Sequence, residues 1–476
     1  MDGVERLLRA RGVELVDARE VADLVVVNTC TVTSIADRKS RQAVRRARRT
    51  NPEARVLVTG CSVVVDPEAL AAADPMARLY DNESKARLLD ELAGLLGPED
   101  GRPMPTLSGV EPAVEPSSGR AGEREAEPEV EGAPDRAVQP RLSRSFEPEP
   151  NEGSAEDDFA GSADIDRTRA FVKIQDGCSF HCTYCIIPRA RGSERSIPAD
   201  EVLAEVNRAV AAGHREVVLT GINAGTYQDA GLALPSLVRR ILAETRVERI
   251  RLSSIEPQHV TDELLDAWIG SGGRCLPHFH IPLQSGDDTV LRRMGRRYDA
   301  AFYAETVRRV RRAIPGVAVH ADVIAGFPGE DDAAWARTMA FLRSVDLAGV
   351  HVFRYSSRPG TPAARMVGQV DARTKKRRAA EALALAAEAR ASFAARHLGR
   401  ELRVLFEQPL PGVRWLGPAD TYVLVVVAPP AGSGSLENEI GLVRAESIDP
   451  TAPDRLVGRL LSIRQSEVPL AESPLK

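Results

Sequence analysis

Apolar and polar positions change their period along the chain, and the changes divide it into four stretches. In residues 1–96, Val4–Arg11 reads as a short amphipathic helix and Ala22–Val27 as an apolar strand ending at Asn28-Thr29-Cys30. A basic helix from about Ala36 to Arg49 follows, then a second strand, Arg55–Val58, ending at Thr59-Gly60-Cys61. Strands alternating with helices predict a parallel sheet. Cys30 and Cys61 would then lie just past the carboxyl ends of their strands, where open parallel sheets bind ligands. Two buried core cysteines are the alternative.

Residues 97–165 lose the periodicity. They hold ten prolines, many Glu, Gly and Ser, and only Phe146 and Phe159 as aromatics. Such a composition buries too little apolar surface to offset chain entropy, so a disordered acidic linker is expected. From Asp166 to 396 strand and helix alternate again. The strands expected are Ala170–Ile174, Glu216–Thr220, Arg249–Ser253, Phe279–Leu283, Ala318–Ile324 and Gly349–Phe353. Helices between them include Ala199–Ala212, Pro235–Glu244 and Asp331–Val345. Six such units suggest a partial or full (β/α) barrel, whose functional residues gather at the carboxyl ends of the strands. Alanine-rich Thr374–Arg396 is a long helix leading to residues 397–468, where Leu402–Phe406, Tyr422–Val427, Ile440–Ala445 and Leu456–Ile463 alternate with Gly and Pro turns. That pattern predicts a small β-barrel. The fold class is therefore α/β with an all-β terminal module.

Charge refines this picture. The 476-residue chain carries a net −5, but residues 97–165 hold 17 acidic and 6 basic residues, which leaves the remainder at +6. A basic body beside an acidic tract suits an anionic partner such as nucleic acid. Seven Lys or Arg lie between Arg38 and Arg49, and Arg38, Arg41, Arg45 and Arg48 or Arg49 recur at helical spacing. A solvated face is the plain alternative. Arg373, Lys375, Lys376, Arg377 and Arg378 form a second basic group. The sequence has no run of 18 apolar residues and no apolar leader, so a soluble, cytoplasmic protein with no membrane segment is expected.

The densest chemistry is Cys178-Ser-Phe-His-Cys182-Thr-Tyr-Cys185. Three thiols in eight residues can hold three corners of a cubane [4Fe–4S] cluster and leave the fourth iron to bind a small molecule. An odd trio cannot pair within itself as disulfides. Zinc, with His181 as fourth ligand, and a structural accident stay open. His278 and His280 alternate on a strand with no matching Asp or Glu spacing and read as structural, as does Cys275.

With these stretches in place, the chain resembles the radical S-adenosylmethionine methylthiotransferases, most of all the branch that thiomethylates N6-threonylcarbamoyladenosine beside the tRNA anticodon. The motifs are Asn28-Thr29-Cys30-Thr31-Val32-Thr33, Thr59-Gly60-Cys61, Gly177-Cys178 through Pro188, and Arg251-Leu252-Ser253-Ser254-Ile255-Glu256-Pro257. To these add His280-Ile281-Pro282-Leu283-Gln284-Ser285-Gly286, Gly326-Phe327-Pro328-Gly329-Glu330, and His351-Val352-Phe353 with Arg358-Pro359-Gly360-Thr361-Pro362. The terminal module resembles the family's RNA-binding TRAM barrel, and everything except the acidic linker is covered.

The resemblance implies that Cys178, Cys182 and Cys185 bind the cluster whose open iron chelates S-adenosylmethionine. Cleavage there releases a 5′-deoxyadenosyl radical that abstracts hydrogen from adenine C2. Tyr184 is placed near the cofactor's adenine. Thr220-Gly221-Ile222-Asn223, Ser254, Glu256, Gln284, Gly326 and Glu330 become cofactor contacts, with turn or barrel-layer roles as the alternative. Arg189 and Arg191 could meet the cofactor carboxylate or RNA phosphate, unless they are simply solvated. A second [4Fe–4S] cluster, which carries or donates sulfur, would take Cys30 and Cys61. The expected partners are tRNA and an electron donor such as flavodoxin or ferredoxin.

The family begins with a strand bearing a first cysteine before the helix seen here at Val4–Arg11. Its absence is expected to leave a gap in the centre of the amino-terminal sheet and to remove the third ligand of the second cluster. Each unpaired, buried backbone group would cost roughly 1–3 kcal/mol. A native chain extending upstream by about one strand and turn is the corresponding expectation. Isopentenyl-adenosine in tRNA and a ribosomal-protein aspartate are the rival substrates, and a non-catalytic RNA-binding protein is the rival of another class.

Overall fold

The computed structural model describes residues 4, 8, 13–16, 20–82, 84–96, 141–145, 168–429 and 434–463. Two compact units emerge: Met1–Thr31 with Ile35–Phe146, and Val32–Ser34 with Glu147–Lys476.

The first unit is a parallel five-stranded sheet. Its strands are β1 (Glu14–Val16), β2 (Leu24–Thr29), β3 (Arg55–Gly60), β4 (Arg78–Tyr80) and β5 (Arg141–Ser145), in spatial order β1-β5-β2-β3-β4. Alternation along β2 makes two cores. Val25 and Val27 pack with Val44 and Ala47 of helix α1 (Ser34–Thr50). Leu24 and Val26 pack with Val4, Leu8 and with Leu88, Leu92 and Leu95 of helix α2 (Lys85–Leu96). The sheet is thus a sandwiched layer, buried on both faces as parallel sheets are.

Here the structure departs from the sequence reading. No gap opens between β1 and β2, because Arg141–Ser145, inside the stretch read as linker, lies there in parallel. It pairs Leu142 with Leu15 on one side and with Leu24 on the other. The physical reason is the one that made a gap costly: both facing edges carry amides and carbonyls that need partners. Residues 97–140 and 146–165 lie outside the described residues.

The second unit begins with strands β6 (Arg169–Lys173), β7 (Glu216–Thr220), β8 (Arg249–Leu252), β9 (His278–His280), β10 (Ala318–Ala325) and β11 (Gly349–Arg354). They form two parallel ladders, β6-β7-β8 and β9-β10-β11, joined by parallel bridges Ile250 to Cys275 and Ser254 to His280. Helices α3 (Ala199–Ala211), α4 (Leu234–Glu244), α5 (Asp262–Ile269), α6 (Ala300–Ala313) and α7 (Asp332–Val345) cover one face. The side chains of Thr261, Asp299 and Asp331 start the last three by accepting N–H bonds from Leu264, Phe302 and Ala334. Val217, Leu219, Ile250, Leu252, Phe279, Val319, Ala321, Val350 and Val352 point to those helices and make the main core. The alternate residues therefore face the barrel interior. Among them are Glu216, Arg249, Arg251, His278, His280, His320, Asp322 and His351. Strand β9 stops at His280, short of the expected Leu283, because Pro282 has no amide to donate and Gln284 turns to φ 70°.

Helix α8 (Ala372–Ala395), capped by Asp371, leads to β12 (Glu401–Leu405), β13 (Gln408–Leu410), β14 (Arg414–Pro418), β15 (Leu424–Val427), β16 (Ile440–Asp449) and β17 (Ala452–Ile463). The sheet order is β12-β16-β17-β15-β14-β13. A Cβ on Gly417 would lie 1.9 Å from the Leu405 carbonyl oxygen, so glycine lets β14 cross over β12. The Val404–Ala419 bridge then curls the sheet into a small barrel. Its Ala419–Tyr422 turn sits against the inner residues of β6–β8. Arg249 Nη1 reaches Asp420 Oδ1 at 2.5 Å, Arg251 Nη2 reaches the Ala419 oxygen at 2.9 Å, and the Arg251 guanidinium lies 4.3 Å from the Tyr422 ring centre.

Candidate active site

The three-cysteine loop follows β6, at the carboxyl end of the barrel. Gly177 opens it with φ 69°, and a Cβ there would stand 2.0 Å from the Ser193 carbonyl oxygen. Cys178 N–H bonds the Gly192 oxygen at 3.1 Å, which closes the base of the loop. Thr183 pins its middle, donating N–H to the Met294 oxygen at 2.9 Å and its hydroxyl to the Arg293 oxygen at 2.8 Å. Gln175, fully buried, ties the loop to the next strand end: its Nε2 donates to the Gly177 oxygen at 2.8 Å and its Oε1 accepts from Asn223 N–H at 3.0 Å.

Cys178, Cys182 and Cys185 are half-buried thiols. Burial pushes the Cys178 thiol up and the Cys185 thiol up to about 12. A coordinated metal reverses that, since a metal-bound thiol is deprotonated outright. Among the described residues, the group of three His, Cys, Asp or Glu ligand atoms lying within 4.8 Å of one another is His280, Asp322 and His351, not the cysteines. The three cysteine sulfurs do not all lie within 4.8 Å of one another. His181, the fourth ligand a zinc site would use, is exposed. The donor set fits a cluster better than zinc.

Around this loop stand the other strand ends. Asn223 is buried, and its Nδ2 has no hydrogen-bond partner while its Oδ1 lies 3.3 Å from His259 Nδ1. Ser254 Oγ lies 2.9 Å from His280 Nδ1. Gln284 holds a left-handed backbone, with N–H to the Asp322 oxygen at 2.7 Å. Such conformations in non-glycine residues cluster at functional sites. Glu256 is paired with Arg296, and burial pushes its carboxyl up against that cation's pull.

Arg296 escaped the sequence reading. It sits among Arg292, Arg293 and Arg297 with no local mark to distinguish it. Almost completely buried, it brings Nη1 to Cys182 Sγ at 3.5 Å and to Tyr184 Oη at 3.4 Å, and Nη2 to Tyr298 Oη at 2.7 Å. Tyr184 meets Phe327 edge-on at 6.4 Å between ring centres.

Several expected contacts also have partners in neighbouring loops. Glu330 turns inward, accepting from Gly326 N–H at 2.7 Å and Arg378 Nη1 at 2.9 Å. Burial raises its carboxyl to about 7. It holds the Gly326 turn through Oε2, while its buried Oε1 has no hydrogen-bond partner among the described residues. Arg191 pairs with Asp176 at 3.0 Å, and Arg189 Nη1 lies 3.5 Å from the Pro359 oxygen. Cys275 is buried, as expected of a structural thiol. His280 does have an acidic partner, Asp322 Oδ1 at 2.7 Å, supplied by the neighbouring strand rather than by its own. Burial lowers His278 and His320 far below the usual range and His351 to about 4. For His280 the charge of Asp322 outweighs burial and lifts the pKa.

The Radical SAM superfamily model matches residues 172–342, and the Uncharacterized protein family UPF0004 model matches residues 1–80. Threonylcarbamoyladenosine tRNA methylthiotransferase MtaB of Bacillus subtilis (strain 168) is 35% identical over 441 residues, covering 89% of this chain and 86% of the relative. The chain belongs to the radical SAM tRNA methylthiotransferase family. A second relative, the tRNA-2-methylthio-N(6)-dimethylallyladenosine synthase of Maricaulis maris (strain MCS10), is 30% identical and covers 86% of this chain and 83% of its own length. The radical S-adenosylmethionine methyltransferase TsrM of Kitasatospora setae, solved with cobalamin and a [4Fe-4S] cluster bound, aligns at a TM-score of 0.47 and 15% identity over 76% of this chain and 68% of its own.

Methylthiotransferase membership directs attention to the first unit as well. Cys30 and Cys61 directly follow β2 and β3. Ser62 Oγ donates to the Cys30 oxygen at 2.7 Å, linking the two loops. Gly60, with φ 105°, permits this: a Cβ there would lie 2.2 Å from the Thr29 oxygen. On α1, Arg38, Arg45, Arg46 and Arg49 are exposed, whereas Arg48 is committed to Asp74 at 3.0 Å. Of the second basic group, Arg377 and Arg378 are tied to Asp332, and Arg373 and Lys376 are exposed. No helix among the described residues is long and apolar enough to cross a membrane.

Proposed function

We propose that this enzyme adds a methylthio group to C2 of N6-threonylcarbamoyladenosine beside the anticodon of tRNA, in the cytoplasm. The carrying observation is a trio of half-buried thiols at the carboxyl end of the barrel, in a chain that matches a curated MtaB over most of both lengths.

Cys178, Cys182 and Cys185 would hold three irons of a [4Fe–4S] cluster, leaving the fourth for S-adenosylmethionine. Bound together, the two supply a 5′-deoxyadenosyl radical. The protein's own part is to fix and screen. Gln175 locks the loop to the Gly221–Asn223 turn, where Asn223 Nδ2 offers an unused donor for the cofactor. Arg296 sets a buried cation beside Cys182 and holds Glu256 in place. Ser254, Gln284 and Gly326 stand at successive strand ends around the same mouth, and Glu330 fixes Gly326 from behind. Cys30 and Cys61 would serve a second cluster. The exposed arginines of α1 and the terminal barrel would contact RNA phosphates, giving affinity without sequence. A flavodoxin or ferredoxin would deliver electrons.

The test is mass spectrometry of tRNA nucleosides from a strain lacking the gene. Loss of the methylthio group from the threonylcarbamoyl nucleoside alone, restored by the intact gene, supports the proposal. Loss from the isopentenyl nucleoside instead, or no change, overturns it.

A further inference from the structure

Four of the chain's eight histidines, His278, His280, His320 and His351, meet inside the barrel on three adjacent strands. We propose that His280, Asp322 and His351 form a mononuclear site for a divalent first-row transition metal, sharing no ligand with the cysteine loop.

The geometry carries the assignment. Each residue comes from a different strand of one parallel ladder, β9, β10 and β11, so the backbone sets their spacing. One ligand atom from each lies within 4.8 Å of the other two. His280 Nε2 and Asp322 Oδ1 are already 2.7 Å apart, and the rings of His280 and His351 stand 5.3 Å apart at 67°. Two imidazoles and one carboxylate are the donor set that suits ferrous iron and its neighbours, with positions left for solvent. Ser254 supplies the outer support usual for a ligating histidine: its Oγ engages His280 Nδ1 at 2.9 Å and leaves Nε2 to face the site. His280 and Asp322 keep 15% and 17% of their side-chain surface exposed, so neither ligand is sealed from solvent. Beside them His320 has a buried Nδ1 with no hydrogen-bond partner among the described residues, and a metal-bound water would satisfy it.

The experiment is Mössbauer spectroscopy of the full chain, reconstituted anaerobically with iron-57 and sulfide and then desalted. A high-spin ferrous signal from a single ion per chain should accompany the cluster signal. Asp322→Asn, which keeps shape and a hydrogen-bond acceptor, and His351→Gln should each abolish the ferrous signal and leave the cluster signal intact. The retained cluster signal shows that each variant is folded. Absence of the ferrous signal from the parent protein, or its persistence in both variants, overturns the proposal. Neither outcome depends on which nucleoside is modified.

Discussion

Arg251 spans two modules to reach Asp420: its Nη1 donates to the Asp420 carbonyl oxygen at 3.0 Å, while its Nε donates to Glu216 Oε1 at 2.7 Å. Arg249 uses the other Glu216 oxygen, also at 2.7 Å. One carboxylate thus bridges two buried cations, Asp420 adds a second counter-charge to Arg249, and those cations grip the turn of the terminal barrel.

Removing that carboxylate should therefore take an ionic partner from both arginines at once. Glu216→Gln is expected to cost roughly 3–5 kcal/mol, as breaking a buried pair does. Burial alone would raise the Glu216 pKa, but Arg251 and Arg249 outweigh it and hold it at about 2 instead of 4.5. The folded state thus favours the charged form. Its stabilisation is present above pH 4.5 and is lost as pH falls toward 2. Urea midpoints measured across this range should fall more steeply for the parent than for Glu216→Gln.

Gly177→Ala tests the entry to the cysteine loop. The left-handed backbone and the 2.0 Å approach to Ser193 leave no room for a methyl group. Strain of about 1–3 kcal/mol should move the loop. Iron and sulfide bound after anaerobic reconstitution should drop, with far-ultraviolet circular dichroism unchanged.

Arg296→Lys keeps a cation but loses the fork that serves Cys182, Tyr184, Glu256 and Tyr298 together. Cluster absorbance should persist. Formation of 5′-deoxyadenosine with dithionite and S-adenosylmethionine should fall about 10–100-fold, the usual effect of losing an outer-shell partner. An unchanged rate would mean that Arg296 only packs.

The strand in the acidic stretch divides that stretch into two kinds of residue. Ser143→Pro removes an amide between Val16 and Val25 and should destabilise the first unit by about 3 kcal/mol. Hydrogen exchange at Leu24–Val27 should speed up. Excising 97–140 should leave that protection intact, whereas excising 141–145 should abolish it.

What the sequence revealed follows from distance along the chain. The cysteine loop and the strand–helix alternation are local patterns, so spacing and periodicity exposed them. His280–Asp322, Glu256–Arg296 and Arg251–Asp420 join residues 42, 40 and 169 positions apart, and no local signal links one partner to the other. Glu330 and Arg191 carried the right residue types for ligand contacts, but their bonds to Gly326, Arg378 and Asp176 became visible only in the packing. Arg141–Ser145 has no apolar alternation of its own, because the edges of β1 and β2 decide its conformation.

That last arrangement imposes an order of events on the ribosome. Strands β1 and β2 emerge more than a hundred residues before the segment that separates them. At about 5–20 residues per second, the valines of β2 wait on the order of 10 s beside an unfilled edge. During translation the nascent amino-terminal half is thus a ready acceptor for any stray strand, and chaperone occupancy should be greatest in that interval.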